Sequence, residues 1–61
     1  MQEKIKAIYN NHIIKAELAT MAAYETTDQN PAQSNDEIAI AIHHLQSAKT
    51  QLENLRNQKP K

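Results

Sequence analysis

Thr26-Thr27-Asp28-Gln29-Asn30-Pro31-Ala32-Gln33-Ser34-Asn35 is the stretch of sequence that decides the fold. It gathers turn formers and helix N-cap formers in the middle of a 61-residue chain that contains no glycine. From Met1 to Thr26 there is also no proline, and Ala, Lys, Glu, Gln, Leu and Met are frequent, which favours helix. We therefore predict one helix on each side of this stretch, folded back as an all-α, antiparallel αα-hairpin of one domain.

The helix boundaries follow from local signals in the same stretch. We place the first helix at about residues 2–26, the loop at about 27–34 and the second helix at about 35–58. Ser34 and Glu37 have the spacing of a capping box, which predicts the start of the second helix. Asn30, followed by Pro31 and Gln33, offers a rival start one turn earlier.

Apolar residues form more stripes than two helices can cover. In the first helix one stripe comprises Met1, Ile5, Ile8, His12, Ala16, Ala19 and Ala23, with Tyr9 and Ile13 at its edge. A second stripe of Ile14, Leu18 and Met21 lies on nearly the opposite side. The second helix has a heptad-like seam comprising Ile38, Ala41, Leu45, Ala48, Leu52 and Leu55, which Ile42 widens. Ile40 points away from this seam, next to the side of the helix on which His44 lies.

The small size of the chain indicates where the spare apolar residues go. Below roughly 70 to 80 residues a single core seldom supplies more than about 3–5 kcal/mol, and the chain has no cysteine for disulfides. We therefore expect the hairpin to self-associate into a helical bundle. A dimeric four-helix bundle is the simplest outcome, with trimers or hexamers left open. The predicted interface between copies comprises Ile14, Leu18, Met21, Ile40 and His44.

Composition argues against an enzyme, a cofactor and a metal site. The absence of glycine and cysteine removes a Gly-rich phosphate loop and a four-thiolate zinc site. His43 and His44 are adjacent and project about 100° apart, so they do not share a metal as an i, i+4 pair does. We expect His12, on the apolar stripe of the first helix, to be either a satisfied histidine or an interface histidine, and a histidine pH switch at the interface stays open. No base and carboxylate are assembled around a hydroxyl nucleophile, so no catalytic residue is predicted.

Charge is balanced overall but uneven along the hairpin. Seven basic and seven acidic residues cancel. Five basic residues gather at the open end: Lys4, Lys6, Arg56, Lys59 and Lys61. Four acidic residues surround the loop: Glu25, Asp28, Asp36 and Glu37. The open end is either a solvated helix tail with a few lysines or a site for a small anion, with Tyr9 stacking on a base and the lysines meeting phosphates. The candidate ligand-binding residues are Tyr9, Lys4, Lys6, His12 and Arg56.

Other partners and compartments are less favoured by the sequence. Two aromatic residues in the whole chain give little support for binding a long nucleic acid strand. No apolar run approaches the roughly 20 residues that span a bilayer, so we expect no membrane partner and a cytoplasmic location.

The start of the second helix resembles a known family. The run Glu37-Ile38-Ala39-Ile40-Ala41-Ile42-His43-His44-Leu45-Gln46-Ser47-Ala48 is similar to the hairpin domain of phage proteins that sequester cyclic-nucleotide immune signals, the anti-CBASS and anti-Thoeris sponges. The matched positions are Glu37, Ala41, Ile42, His44, Leu45 and Ala48. Asp36 stands in place of the family's Arg, His43 in place of its Thr, and Thr50-Gln51 in place of its Met-Trp. The resemblance implies an oligomer that binds a cyclic nucleotide between protomers without chemistry.

Two other functions remain open on the residues alone. One is a protein–protein adaptor or secretion co-chaperone, whose stripe of Ile14, Leu18 and Met21 accepts a partner's helix. The other is an RNA-binding hairpin dimer that uses its basic residues on phosphates.

Overall fold

The computed structural model describes residues 2–57 as two helices packed against each other. Helix α1 spans Gln2–Thr26 and helix α2 spans Pro31–Asn57. The prediction of an all-α helical hairpin is confirmed. The expected end of the second helix at residue 58 lies outside the described residues.

Helix α2 begins at Pro31, four residues before the expected start. The Asn30 side chain caps it: Gln33 donates its backbone N–H to Asn30 Oδ1 at 3.2 Å. In return, Asn30 Nδ2 lies 3.5 Å from Gln33 Oε1. A proline in the first helical position costs nothing there, since that N–H has no partner within the helix. The rival start at Asn30 is therefore the one that the chain uses, and residues 27–30 are enough to reverse its direction.

Ser34 does not cap a helix but joins the two helices. Its hydroxyl lies 2.8 Å from the carbonyl oxygen of Ala23 and 2.6 Å from Thr26 Oγ1, both in the last turns of α1. Ser34 is buried, with 7% of its surface exposed. These contacts fix the first turn of α2 against the end of α1, and so set the register of the hairpin.

The contact between the helices follows a strict heptad, with small and polar residues at its centre and larger side chains toward the open end. On α1 the buried and half-buried positions at alternating spacings of four and three are Ile5, Tyr9, His12, Ala16, Ala19, Ala23 and Thr26. On α2 the matching positions are Ser34, Glu37, Ala41, His44, Ala48, Gln51 and Leu55. Such alternation is the seam of a coiled coil. Alanines at its centre permit a close approach of the two backbones, because small side chains shorten the distance between packed helix axes, which is usually about 8–10 Å.

The seam on α2 differs from the expected one. Ala41, Ala48 and Leu55 do face α1, but Ile38, Leu45 and Leu52 lie one residue out of phase with the heptad and remain 43–48% exposed. Among residues 2–57 the buried apolar side chains are all alanines: Ala16, Ala19, Ala23, Ala41 and Ala48. Close packing at the alanines thus holds the centre of the hairpin, and most of the large apolar side chains of residues 2–57 are left outside.

Candidate functional site

The large apolar side chains of α2 form a continuous stripe on one flank of the hairpin. Ile38, Ile42, Leu45 and Leu52 follow spacings of four, three and seven, and each is 43–49% exposed. We call them the α2 stripe. At a rise of about 1.5 Å per residue, the stripe extends about 21 Å along the helix. The side chain in its one gap is Lys49, and Arg56 continues the same spacing.

Helix α1 contributes apolar groups to the same flank. Each residue of the α2 stripe comes one position after a seam residue. In an antiparallel pair, the positions directly after the seam residues of both helices lie on the same flank. Ile13 of α1 occupies such a position and is half-buried, and Tyr24 lies farther out with 84% of its surface exposed. Lys6 is on this flank too. The flank therefore combines an apolar centre with cationic residues toward the open end.

A second apolar patch lies on the outer side of α1. Ile14, Leu18 and Met21, which the sequence assigns to an interface between copies, are 54%, 60% and 58% exposed. We call them the α1 patch. Ile40, 46% exposed, lies on the flank of α2 opposite to the α2 stripe. The surface around the seam thus carries two separate apolar regions, and one flat partner cannot cover both.

His44 lies in the contact within the hairpin and not, as predicted from the sequence, in a contact between copies. Its Nδ1 is 3.0 Å from Nδ1 of His12, across the seam from α2 to α1. The ring centroids are 5.2 Å apart and the ring planes are inclined by 36°. At this distance one imidazole donates a hydrogen bond and the other accepts it, so at least one of the two rings is neutral.

The surroundings of His44 disfavour its protonation. Partial burial lowers the pKa of His44 below its ordinary value of 6.5, and the neighbouring positive charges of His12, His43 and Lys15 lower it further. His43 is next to it with ring centroids 5.4 Å apart, in an edge-to-face arrangement. The neutral form of His44 is therefore favoured near pH 7, which is the form that the contact with His12 requires.

Four of the predicted anion-binding residues lie toward the open end, whereas the fifth, His12, lies near the middle of α1, and together they do not enclose a cavity. Lys4, Lys6 and Arg56 are exposed, whereas Tyr9 and His12 are half-buried in the seam. Lys6 and Arg56 share the flank of the α2 stripe, and Lys4 lies on the other flank. Lys59 and Lys61 lie outside the described residues. Within residues 2–57 no pocket is present.

Two further features are absent from the described part of the chain. It contains no group of three or more His, Cys, Asp or Glu side chains placed to hold a metal ion. Neither helix is both long and apolar enough to cross a membrane.

Two site features were not foreseen from the sequence. The pairing of His12 with His44 requires the register that Ser34 sets, and the available signal was that both histidines fall in the same heptad phase as the alanines. The position of Lys49 and Arg56 on the α2 stripe follows from the same heptad phase.

Comparison of the chain with protein-family models, with curated proteins and with solved structures found no match.

Proposed function

We propose that this chain is a non-enzymatic helical hairpin that functions as an assembly of several copies. The observation that carries the proposal is the inverted placement of apolar residues within residues 2–57: alanines lie inside the hairpin, while ten large hydrophobic side chains are at least 37% exposed. Scattered apolar residues on a surface are ordinary, but aligned ones mark an interaction site.

The α2 stripe is the stronger of the two apolar regions as a contact between copies. It has the spacing of a helix-packing seam and a length of about four turns, whereas the α1 patch spans about two. A twofold axis would set the stripe of one copy against the stripe of another, which makes one self-complementary surface sufficient for a closed dimer. The result is a four-helix bundle in which Ile38, Ile42 and Leu45 fill the core that each hairpin lacks.

A charge introduced in the middle of the stripe tests this assembly. We expect the wild-type chain to sediment as a dimer or larger species at about 100 µM. Leu45→Glu places a carboxylate in the contact and should yield monomers, since an unpaired buried charge is costly. Gln46→Glu is the matched control, because Gln46 is the next residue, is exposed and lies off the stripe. A folded wild-type monomer at this concentration would refute the proposal.

Sequestration of a small nucleotide between copies is the second candidate. The resemblance to the phage sponges supports it, and so does one observation: Lys6, Lys49 and Arg56 lie on the same flank as the α2 stripe. An anion held there would contact two copies at the edge of their shared apolar surface. The half-buried Tyr9 lies one turn from Lys6, and positive side chains and an aromatic ring suit a phosphate and a base, respectively. The cytoplasmic location expected from the sequence belongs to this proposal and stays a prediction.

Calorimetry tests nucleotide binding directly. Cyclic dinucleotides and trinucleotides are titrated into the protein, with linear mononucleotides as the ligand control. Arg56→Ala and Lys6→Ala should each weaken binding about tenfold or more, as loss of a charge-assisted hydrogen bond does. Lys15→Ala, on the opposite flank, should leave affinity unchanged. Absence of heat from the whole cyclic panel at about 100 µM would remove this candidate and leave the assembly proposal standing.

A further inference from the structure

His12 and His44 bring two imidazole nitrogens together from different helices. Their Nδ1 atoms are 3.0 Å apart, and both residues are half-buried in the seam between α1 and α2. We propose that this pair is a two-point binding site for a divalent transition-metal ion such as Zn²⁺, Ni²⁺ or Cu²⁺, which clamps the two helices together.

The separation of the two nitrogens is close to what such an ion demands. With a Zn–N distance of about 2.0–2.1 Å, two nitrogens on a tetrahedral ion are about 3.3 Å apart. Adjacent nitrogens of a square-planar Cu²⁺ or Ni²⁺ site with bonds of similar length are about 2.9 Å apart. The observed 3.0 Å lies between these values. Binding therefore needs only small rotations of the rings, which exchange the N–H···N hydrogen bond for two metal–nitrogen bonds.

Metal binding releases a proton to solvent only when the pair carries a positive charge. In the unliganded pair one Nδ1 carries the proton of the hydrogen bond and the other Nδ1 accepts it. When each Nδ1 coordinates the ion, the donor ring moves its proton to Nε2 as a neutral tautomer, or loses one proton if it was charged. Neutral imidazole is the usual ligand form, and the lowered pKa of His44 favours it at neutral pH.

The hairpin supplies two ligands and leaves the remaining coordination positions for water or another ligand. No third His, Cys, Asp or Glu is placed to complete a site within the described residues. The expected affinity is therefore that of a bidentate clamp, well below that of closed structural zinc sites. Because the two nitrogens are adjacent only in the folded hairpin, binding should stabilise it.

Thermal unfolding followed by circular dichroism tests the clamp with Ni²⁺ or Zn²⁺ as the probe, against an EDTA control. At an ion concentration about tenfold above Kd, the melting temperature of the wild-type chain should rise by about 5–10 °C. His12→Gln and His44→Gln should each abolish the rise. His43→Gln is the matched control and should retain it, since His43 is adjacent in sequence but off the seam.

Nitrogen-15 NMR of the imidazoles gives a readout that needs no variant and does not depend on assembly. During titration with Zn²⁺, the Nδ1 resonances of His12 and His44 should shift together, with the resonances of His43 unchanged. No shift of melting temperature in the wild-type chain, or an equal shift in the His12 and His44 variants, would overturn the clamp. A shift of the His43 resonances alone would also overturn it.

Discussion

Ser34 shows how one hydroxyl can fix the register of a hairpin that has almost no core. A chain of polar atoms runs from the carbonyl oxygen of Ala23 through Ser34 Oγ and Thr26 Oγ1 to the carbonyl oxygen of Ala22, with separations of 2.8, 2.6 and 2.8 Å. Two hydroxyl protons serve these three contacts, so two are hydrogen bonds at any moment. The chain tolerates either arrangement of the protons, which keeps the site satisfied.

Ser34→Ala should lower the free energy of unfolding by about 1 kcal/mol, the usual net value of such a hydrogen bond. The loss stays modest because Thr27 Oγ1 also donates to the Ala23 carbonyl oxygen, at 2.8 Å. Urea denaturation measures the change. Thr20→Ala is the control, since the exposed Thr20 hydroxyl bonds only to the Glu17 carbonyl of its own helix. Equal losses in the two variants would show that Ser34 has no special role between the helices.

The His12–His44 contact predicts a pH dependence of stability. The pKa of His44 is lower in the folded chain than its ordinary value, so the unfolded chain binds more protons in the interval between the two values. Stability should therefore be full above about pH 6.5 and fall as the pH is lowered through the folded pKa.

Melting temperatures between about pH 7.5 and pH 5, measured with EDTA present, check this sign. His44→Gln should flatten the profile, because it removes the titrating group. His43→Gln should leave most of the slope in place. A wild-type melting temperature that rises on acidification would contradict the prediction.

At the scale of the helix, α2 carries two heptad-spaced sets of residues that are offset from each other by one position. The phase of small and polar residues, with Ala41 and Ala48, packs against α1; the phase of large residues, with Ile38, Leu45 and Leu52, does not. The sequence predicted both helices and the buried alanines of α1, because the chain lacks glycine, residues 1–30 and 32–59 lack proline, and the apolar spacing is regular. It could not predict which phase of α2 faces α1, since that choice depends on how closely the two backbones approach.

Enlarging an alanine of the seam should therefore destabilise the hairpin. Ala41→Leu adds three carbons at a position that is 3% exposed, and overpacking of this kind costs about 1–3 kcal/mol. Ala39→Leu makes the same chemical change two residues earlier, at an exposed position, and should change stability by less than about 0.5 kcal/mol. Chemical denaturation of both variants compares them. If Ala41→Leu were as stable as the wild-type chain, the inference that the two helices pack closely at the alanines would be wrong.

The whole molecule is a rod and not a globule. Its principal extents are 52 × 14 × 10 Å, and its radius of gyration of 14.4 Å exceeds the roughly 10.5 Å of a compact domain of this length. Two helices side by side form a layer only one helix thick, and such a layer has no interior in which to bury large side chains. The seven side chains of the α2 stripe and the α1 patch therefore lose water contact only when another molecule packs against them. Sequence composition indicated this need, while the number of copies depends on the shapes of surfaces that one chain does not define.

If assembly supplies the missing core, stability must depend on concentration. With an unfolding enthalpy of roughly 0.7 kcal/mol per residue, a dimer of 61-residue chains has about 85 kcal/mol. Mass action then raises the melting temperature by about 6 °C for each tenfold increase in protein concentration. Melting curves at about 5, 50 and 500 µM measure this slope. Leu45→Glu should remove the slope and lower the melting temperature, while Gln46→Glu should keep the slope and the melting temperature of the wild-type chain. A melting temperature of the wild-type chain that does not depend on concentration would mean that the alanine seam alone holds the fold.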